Sequence, residues 1–311
     1  MSVFDIQFEL SPILTKFDKY VKELGKLEVK CSTLKKILLR KEKQGQLFVP
    51  DFKTVDDIIL TNIRSFQTPK GTSKDTFITD VDMFEDGRIV LADDERLNKR
   101  LVIMNQVGEY IKTVPLDDQC YDAVIDKDTV ATTLVFAKTV VIIDVNSSNV
   151  QRTIHTKDKC YGILSKGKQL TVSLYNKTIQ FFDLSRNTFS TLSIAEISVH
   201  CSMFSDKLYY TTHNSDAVYS ITLRGEVRWK FNCQKSDYPA GITNDASGNI
   251  FVACRDSNKL MVVGPDGKKS RILLTTEDGL DQTKAIHYNH KSRMLLVCNL
   301  SGQCFLYKVT K

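Results

Sequence analysis

One β-rich pattern recurs six times along the chain, and its spacing constrains the fold more than any single residue does. NDASGNIFVACRDSNKLMVVGPDGKK (244–269) restates FEDGRIVLADDERLNKRLVIMNQVGEY (84–110): a short β-rich run, a polar turn, then a second run. The first runs of the six pairs begin at Ile89, Val130, Leu170, Leu208, Ile250 and Met294, in steps of 38 to 44 residues. That period belongs to propeller blades. The runs are β-branched and aromatic with alternation near two, and no unit has a ten-residue apolar pattern at helical spacing, which sets helical solenoids aside.

Each unit also has a leading strand, such as ITDVDMF (78–84) or CYGILS (160–165), and most have a trailing one, such as Val227–Phe231. At one aligned position the leading strands carry Asp80, Asp122, Gly162, Ser202, Gly241 and Ala285. Mostly small residues suit innermost strands that crowd an axis. The expected fold is all-β: a six-bladed β-propeller of four-stranded antiparallel blades, preceded by a short N-terminal helix. The last unit stops after its third strand. Residues 46–68, QLFVPDFKTVDDIILTNIRSFQT, are expected to supply the fourth and close the ring, so that no long edge remains.

Two domains follow: a helical segment with a basic linker over 1–45, and the propeller over 46–311. Ser11 reads as an N-cap, Pro12 as the first helical residue and Gly25 as the stop; Ile13, Phe17, Tyr20 and Leu24 lie on one face between them. Leu10 and Leu27 extend this stripe, so residues 10–27 are a candidate for self-association.

The net charge of +6 invites a nucleic-acid reading, but its distribution weakens it. Residues 1–45 carry ten Lys/Arg against six Asp/Glu, which leaves 33 against 31 for the rest of the chain. Phosphate contacts need clustered Lys/Arg, and the propeller is close to neutral. No run of 18 apolar residues occurs, and MSVFDIQFELSP has no long apolar centre, so neither a membrane span nor a signal peptide is expected and a cytoplasmic location is. Eight cysteines show no CxxC pair and read as small core residues.

Catalytic motifs are scarce. The five histidines, at 155, 200, 213, 287 and 290, form no HExxH or HxxxH pattern, and neither GxSxG nor GxxxxGK[ST] occurs. Asp80 and Asp122 face the axis on neighbouring blades, but two carboxylates make a thin site for a hard divalent ion. No cofactor is expected.

Several strings are recognisable once the blades are placed. CYGI (160–163), GEVRWKF (225–231), AGITNDASGNIFVA (240–253), VVGPDGKKSRILLTTEDGL (262–280) and AIHYNHKSRMLLVCNLSGQCFLYKV (285–309) resemble the C-terminal propellers of tripartite-motif (TRIM), B-box type proteins. The likeness is to the forms abundant in bivalve molluscs and related to NHL-repeat propellers. It covers about residues 20–311, and ELGKLEVK (23–30) resembles the end of such a protein's coiled coil. The resemblance implies a propeller that recruits substrates, RNA or partner proteins beside zinc modules that carry ubiquitin-ligase chemistry. This sequence has no zinc-binding Cys/His array, so the expectation is a recognition end alone and no enzyme.

Propeller geometry brings the lead-in of each inner strand and the turn between strands two and three to one face. That face would collect Tyr121, Tyr161, His200, Tyr238 and Lys284 from lead-ins, and Arg96, Lys138, Lys177, Asn214, Arg255 and Asn258 from turns, with Asn176, His213 and Asn299 beside them. Aromatic, Arg and Asn side chains in a concavity suit protein hot spots and also stacking on unpaired bases. The expected partner is a protein or peptide; single-stranded RNA is the alternative, and an axial-metal lactonase-like hydrolase ranks third.

Overall fold

The computed structural model describes residues 55–212 and 215–310. The expected N-terminal helix and basic linker over 1–45 lie outside the described residues, as do His213 and Asn214.

Twenty-four strands form six sheets of four. The first strand, β1 (Ile59–Gln67), precedes blade one: β2 (Ile78–Met83), β3 (Ile89–Asp93), β4 (Arg100–Met104) and β5 (Tyr110–Pro115). Blade two holds β6 (Cys120–Asp126), β7 (Thr129–Leu134), β8 (Thr139–Asp144) and β9 (Asn149–His155), and blade three β10 (Cys160–Lys166), β11 (Gln169–Leu174), β12 (Thr178–Asp183) and β13 (Thr188–Ser193). Blade four is β14 (Ser198–Phe204), β15 (Lys207–Thr212), β16 (Ala217–Thr222) and β17 (Val227–Asn232); blade five is β18 (Pro239–Asn244), β19 (Ile250–Cys254), β20 (Lys259–Val263) and β21 (Ser270–Leu274). The last sheet has the order β1, then β24 (Gln303–Thr310), β23 (Met294–Asn299) and β22 (Thr283–Asn289). Antiparallel pairing from Ile59 with Thr310 to Gln67 with Gln303 fastens the two ends of the propeller to each other.

The sequence pattern follows position within the blade. The central strands β3, β4, β19 and β20 are buried along their whole length, which is why Val90–Leu91–Ala92 and Val262–Val263 are continuous apolar runs. Outer strands such as β17 alternate between exposed and half-buried, as an edge facing water requires. The core consists of six slabs, one between each pair of neighbouring blades. Ala131 and Val140 of blade two meet Leu170 and Val172 of blade three, and Leu91 and Val102 of blade one meet Leu296 and Leu306 of blade six. The axis is left to polar side chains.

Two glycines show how close the inner strands come. A Cβ on Gly162 would lie 2.3 Å from the Val199 carbonyl oxygen, and one on Gly241 2.3 Å from that of Lys284. No side chain fits at that separation. Of the described cysteines, Cys298 and Cys304 are paired across β23 and β24 as a disulfide, which corrects the reading of all eight as small core residues. Cys120, Cys160, Cys201 and Cys254 are free and buried, and Cys233 is free and half-buried.

Candidate functional site

Ladder register decides which side chains face the axis. The first residues of the inner strands that pair with strand two are Ile78, Cys120, Cys160, Ser198, Pro239 and Thr283. Two positions on come Asp80, Asp122, Gly162, His200, Gly241 and Ala285. The sequence alignment had placed Ser202 at this level; the structure places His200 there and Ser202 two residues deeper. A slip of two preserves the alternation of faces, so hydrophobic patterning could not reveal it.

His200 (β14) and Asp80 (β2) come from opposite blades, yet His200 Nδ1 lies 3.9 Å from Asp80 Oδ2 across the channel. Both are buried, as is Asp122. Burial raises the Asp80 carboxyl well above the ordinary range; the Val81 amide opposes this, and the Asp82 charge adds to it. Burial, then the charges of Asp80 and Asp82, does the same for Asp122. Burial, followed by the nearby Lys284 charge, depresses His200 to about 3 and keeps the imidazole neutral. Neither Asp122 oxygen makes a hydrogen bond of ordinary length and angle, though the Ala92 amide opposes the rise in its pKa, and His200 Nε2 has no partner.

Deeper in the channel, Asp82 Oδ1 lies 2.9 Å from His287 Nδ1, while Asp82 accepts from the Met83 amide at 2.6 Å and the Val124 amide at 2.8 Å. Ser202 donates to Asn244 Oδ1 at 2.6 Å. These groups border a cavity of about 170 Å³ that also takes in Asp80, Asp122 and His290. Sequence reasoning missed Asp82 and His287 as a pair. Their signal was a shared offset, four residues from the start of the inner strand on blades one and six. Among the described residues, no three His, Cys, Asp or Glu side chains converge as metal ligands.

The other end of the channel opens on the loop face. The backbone amides of Asp94, Val135, Tyr175, Arg255 and Leu300, at the starts of turns between strands two and three, donate to the carbonyls of Phe77, Gln119, Lys159, Tyr238 and Gln282, which lead into the inner strands. Lead-ins and turns therefore share one face. A series of ring contacts runs outward from the mouth: His200 to Tyr121 at 5.2 Å between ring centroids and Tyr121 to Tyr161 at 6.2 Å, both edge-to-face, then Tyr161 to Tyr175 at 6.2 Å with tilted rings. Tyr175, absent from the sequence-based set, is 46% exposed and ends the series. The Arg255 guanidinium lies 4.0 Å above the Tyr238 ring. The Lys284 ammonium lies 5.1 Å from the Phe77 ring and 5.4 Å from that of Tyr121; burial lowers its pKa to about 8, against the opposing charge of Asp94.

The remaining turn residues divide by role. Arg96 and Lys177 are exposed. Lys138 is 3.6 Å from Asp158, and Arg255 is 2.7 Å from Asp256. Asn258 accepts from the Gln282 amide at 2.7 Å, and buried Asn299 accepts from Thr283 and donates to Gly279. Those two asparagines hold loops in place. Lys138, Lys177 and Asn258 have φ of 55°, 59° and 50°, the left-handed conformation that these tight turns impose.

The chain matches no protein-family model. No curated protein matches it either. Its similarity is to solved structures. Virginiamycin B lyase from Staphylococcus aureus is 12% identical with a TM-score of 0.59, covering 82% of this chain and 100% of its own. A catalytically inactive histidine-to-alanine variant of that lyase with quinupristin is 13% identical with a TM-score of 0.57, over 81% of this chain and 99% of its own. The Myceliophteria thermophila Cps50 (Swd1) β-propeller domain is 10% identical with a TM-score of 0.59, over 81% of this chain and 100% of its own. At these identities the likeness establishes the β-propeller fold. It also corrects one expectation. The chain was read as no enzyme, but the propellers it resembles include a lyase, so the fold gives no ground for excluding catalysis. Among the described residues no helix is long and apolar enough to cross a membrane.

Proposed function

We propose that the protein is a recognition propeller that docks a protein or peptide on its loop face, in the manner of the substrate-recruiting propellers of tripartite-motif proteins. The observation that carries this reading is the continuous ring series from buried His200 through Tyr121 and Tyr161 to exposed Tyr175. Rigid aromatic side chains offer contact area at low entropic cost, and those held from beneath make anchors. Arg255 over Tyr238 and Lys284 at the mouth add cations beside the rings, which favours peptides that combine apolar and acidic side chains. A protein ligand is favoured over RNA because two of the four basic turn residues, Lys138 and Arg255, are already paired with carboxylates. Selection of binders from a displayed peptide library, with a single-stranded RNA pool in parallel at near-physiological salt, tests the reading. Peptides bound by the full chain and released by Tyr161→Ala with Tyr175→Ala support it; RNA enriched in their place overturns it.

A second reading rests on the 2.9 Å approach of the Asp82 carboxyl to His287 Nδ1. A carboxylate on Nδ1 fixes the imidazole and leaves Nε2 as the nitrogen available to a ligand, the arrangement of a general base. The lyases among the propellers of this fold make elimination assisted by a general base the reaction class to screen, with His287→Ala as the control. Turnover unchanged in that variant would assign the activity elsewhere.

A further inference from the structure

Independently of the loop face, the channel has the chemistry of a site for one particular group. Its lining includes three carboxylates, Asp80, Asp82 and Asp122, and three imidazoles, His200, His287 and His290, but no Lys or Arg. The cation at the channel's other end, Lys284, is held over the Phe77 and Tyr121 rings. A channel edged by carboxyl groups favours positive charge over anions.

Most acceptors here are already engaged. Asp82 takes two backbone amides and faces His287, and Asp80 takes the Val81 amide. Two groups are less well served: His200 Nε2 is buried without a donor, and neither Asp122 oxygen makes a hydrogen bond of ordinary geometry, although the Ala92 amide acts on that carboxyl. A buried acceptor left without a donor is costly, so the site calls for hydrogen-bond donors rather than for apolar volume. A primary ammonium group has three N–H donors, one positive charge and no acceptor.

We propose that the channel binds a primary ammonium group, with Asp122 and His200 as its acceptors and the cavity beside Asp82 and His287 holding the carbon chain that carries it. A divalent metal is the poorer fit, because no three ligating side chains converge among the described residues. Quaternary ammonium ions suit the aromatic mouth but offer no N–H to the orphaned acceptors. The groups around Asp122 and His200 are Asp80 and Asp82 from blade one and His287 and His290 from blade six, with the charge of Lys284 at the mouth also reaching His200; a bound ammonium offsets the mutual repulsion of the carboxylates.

The experiment is isothermal titration of the full chain near neutral pH with n-butylamine and with N-acetyl-lysine N-methylamide. Controls are n-butanol and butyltrimethylammonium. The expected result is saturable one-site binding of the primary amines, absent for the alcohol and the quaternary ion. Asp122→Asn should weaken it at least about tenfold, and Tyr161→Ala should leave it unchanged. Binding of both amines, or of butylamine alone, identifies a small free amine; binding of the lysine derivative alone identifies a partner's lysine side chain. Should Asp122→Asn not fold, imidazole proton resonances of the wild-type chain serve instead: those of His200, His287 and His290 should shift with amine while the Tyr175 ring signals stay. Absence of binding by either amine, equal binding of the quaternary ion, or binding that survives Asp122→Asn overturns the proposal.

Discussion

Asp82 Oδ1 lies 2.9 Å from His287 Nδ1, joining the first blade to the sixth just inside the place where the ring closes. The other oxygen of the same carboxylate accepts from the Val124 amide of blade two. One side chain therefore ties three consecutive blades at the axis.

Asp82→Ala should accordingly cost more than its partial exposure suggests. It leaves the Val124 and Met83 amides without their acceptor, at about 2 to 3 kcal/mol together. Asp82→Asn keeps an acceptor oxygen and should lose about 1 kcal/mol. Chemical denaturation followed by Trp229, the chain's single tryptophan, measures both.

Gly162→Ala and Gly241→Ala should each abolish cooperative folding or cost more than about 3 kcal/mol, because the added carbon meets a neighbouring strand's backbone oxygen that cannot yield. Gly167→Ala is the comparison. Nothing lies within 4 Å of the place its β-carbon would take, and only its φ of 61° penalises a side chain, at about 1 kcal/mol. Similar losses at all three would show that the inner strands are less crowded than described.

His200 makes stability depend on pH with a definite sign. Its folded-state pKa, about 3, lies below the ordinary 6.5, so between those values the unfolded chain binds a proton that the folded chain does not. Stability falls as the pH drops below about 6.5. Asp94, raised to about 6 by burial, acts in the opposite sense from about pH 6 down to the ordinary carboxylate range. The difference between wild type and His200→Gln isolates the imidazole. It should move against the wild type by about 1.4 kcal/mol per pH unit below 6.5, measured by denaturation at pH 7, 6 and 5. A flat difference would mean that His200 charges freely in the folded protein.

Removing residues up to 68 should leave β24 as an open edge, since β1 covers it from Gln303 to Thr310. Exposed edges recruit other edges, so the shortened chain is expected to self-associate in light scattering over the micromolar range while retaining β-sheet circular dichroism. A stable monomer would show that the edge is protected otherwise.

The blades were legible because their period, their turn residues and their alternation all point to one architecture. The channel was legible only in part. Asp80 and Asp122 were placed on the axis, but His200 was read as a mouth residue alone because a two-residue slip in β14 leaves the pattern of faces unaltered. Asp82 and His287 lie 205 positions apart in sequence and become neighbours only when blade six packs against blade one, which no local pattern records. At the loop face, Tyr121, Tyr161, Tyr238 and Arg255 were visible from the repeat. Asn258 and Asn299 were not separable from them, because a turn asparagine that holds a loop looks the same in sequence as one that meets a ligand.

The loop-face account is tested most directly by repeating one peptide-library selection with three proteins: the wild-type chain, the Tyr161→Ala, Tyr175→Ala double variant, and His287→Ala, each first shown to fold by Trp229 fluorescence. The expected result is a common set of peptides selected by the wild type and by His287→Ala and lost with the two tyrosines. Peptides that persist without the tyrosines, or that vanish with His287 instead, would contradict recognition at the loop face and move the binding surface to the channel.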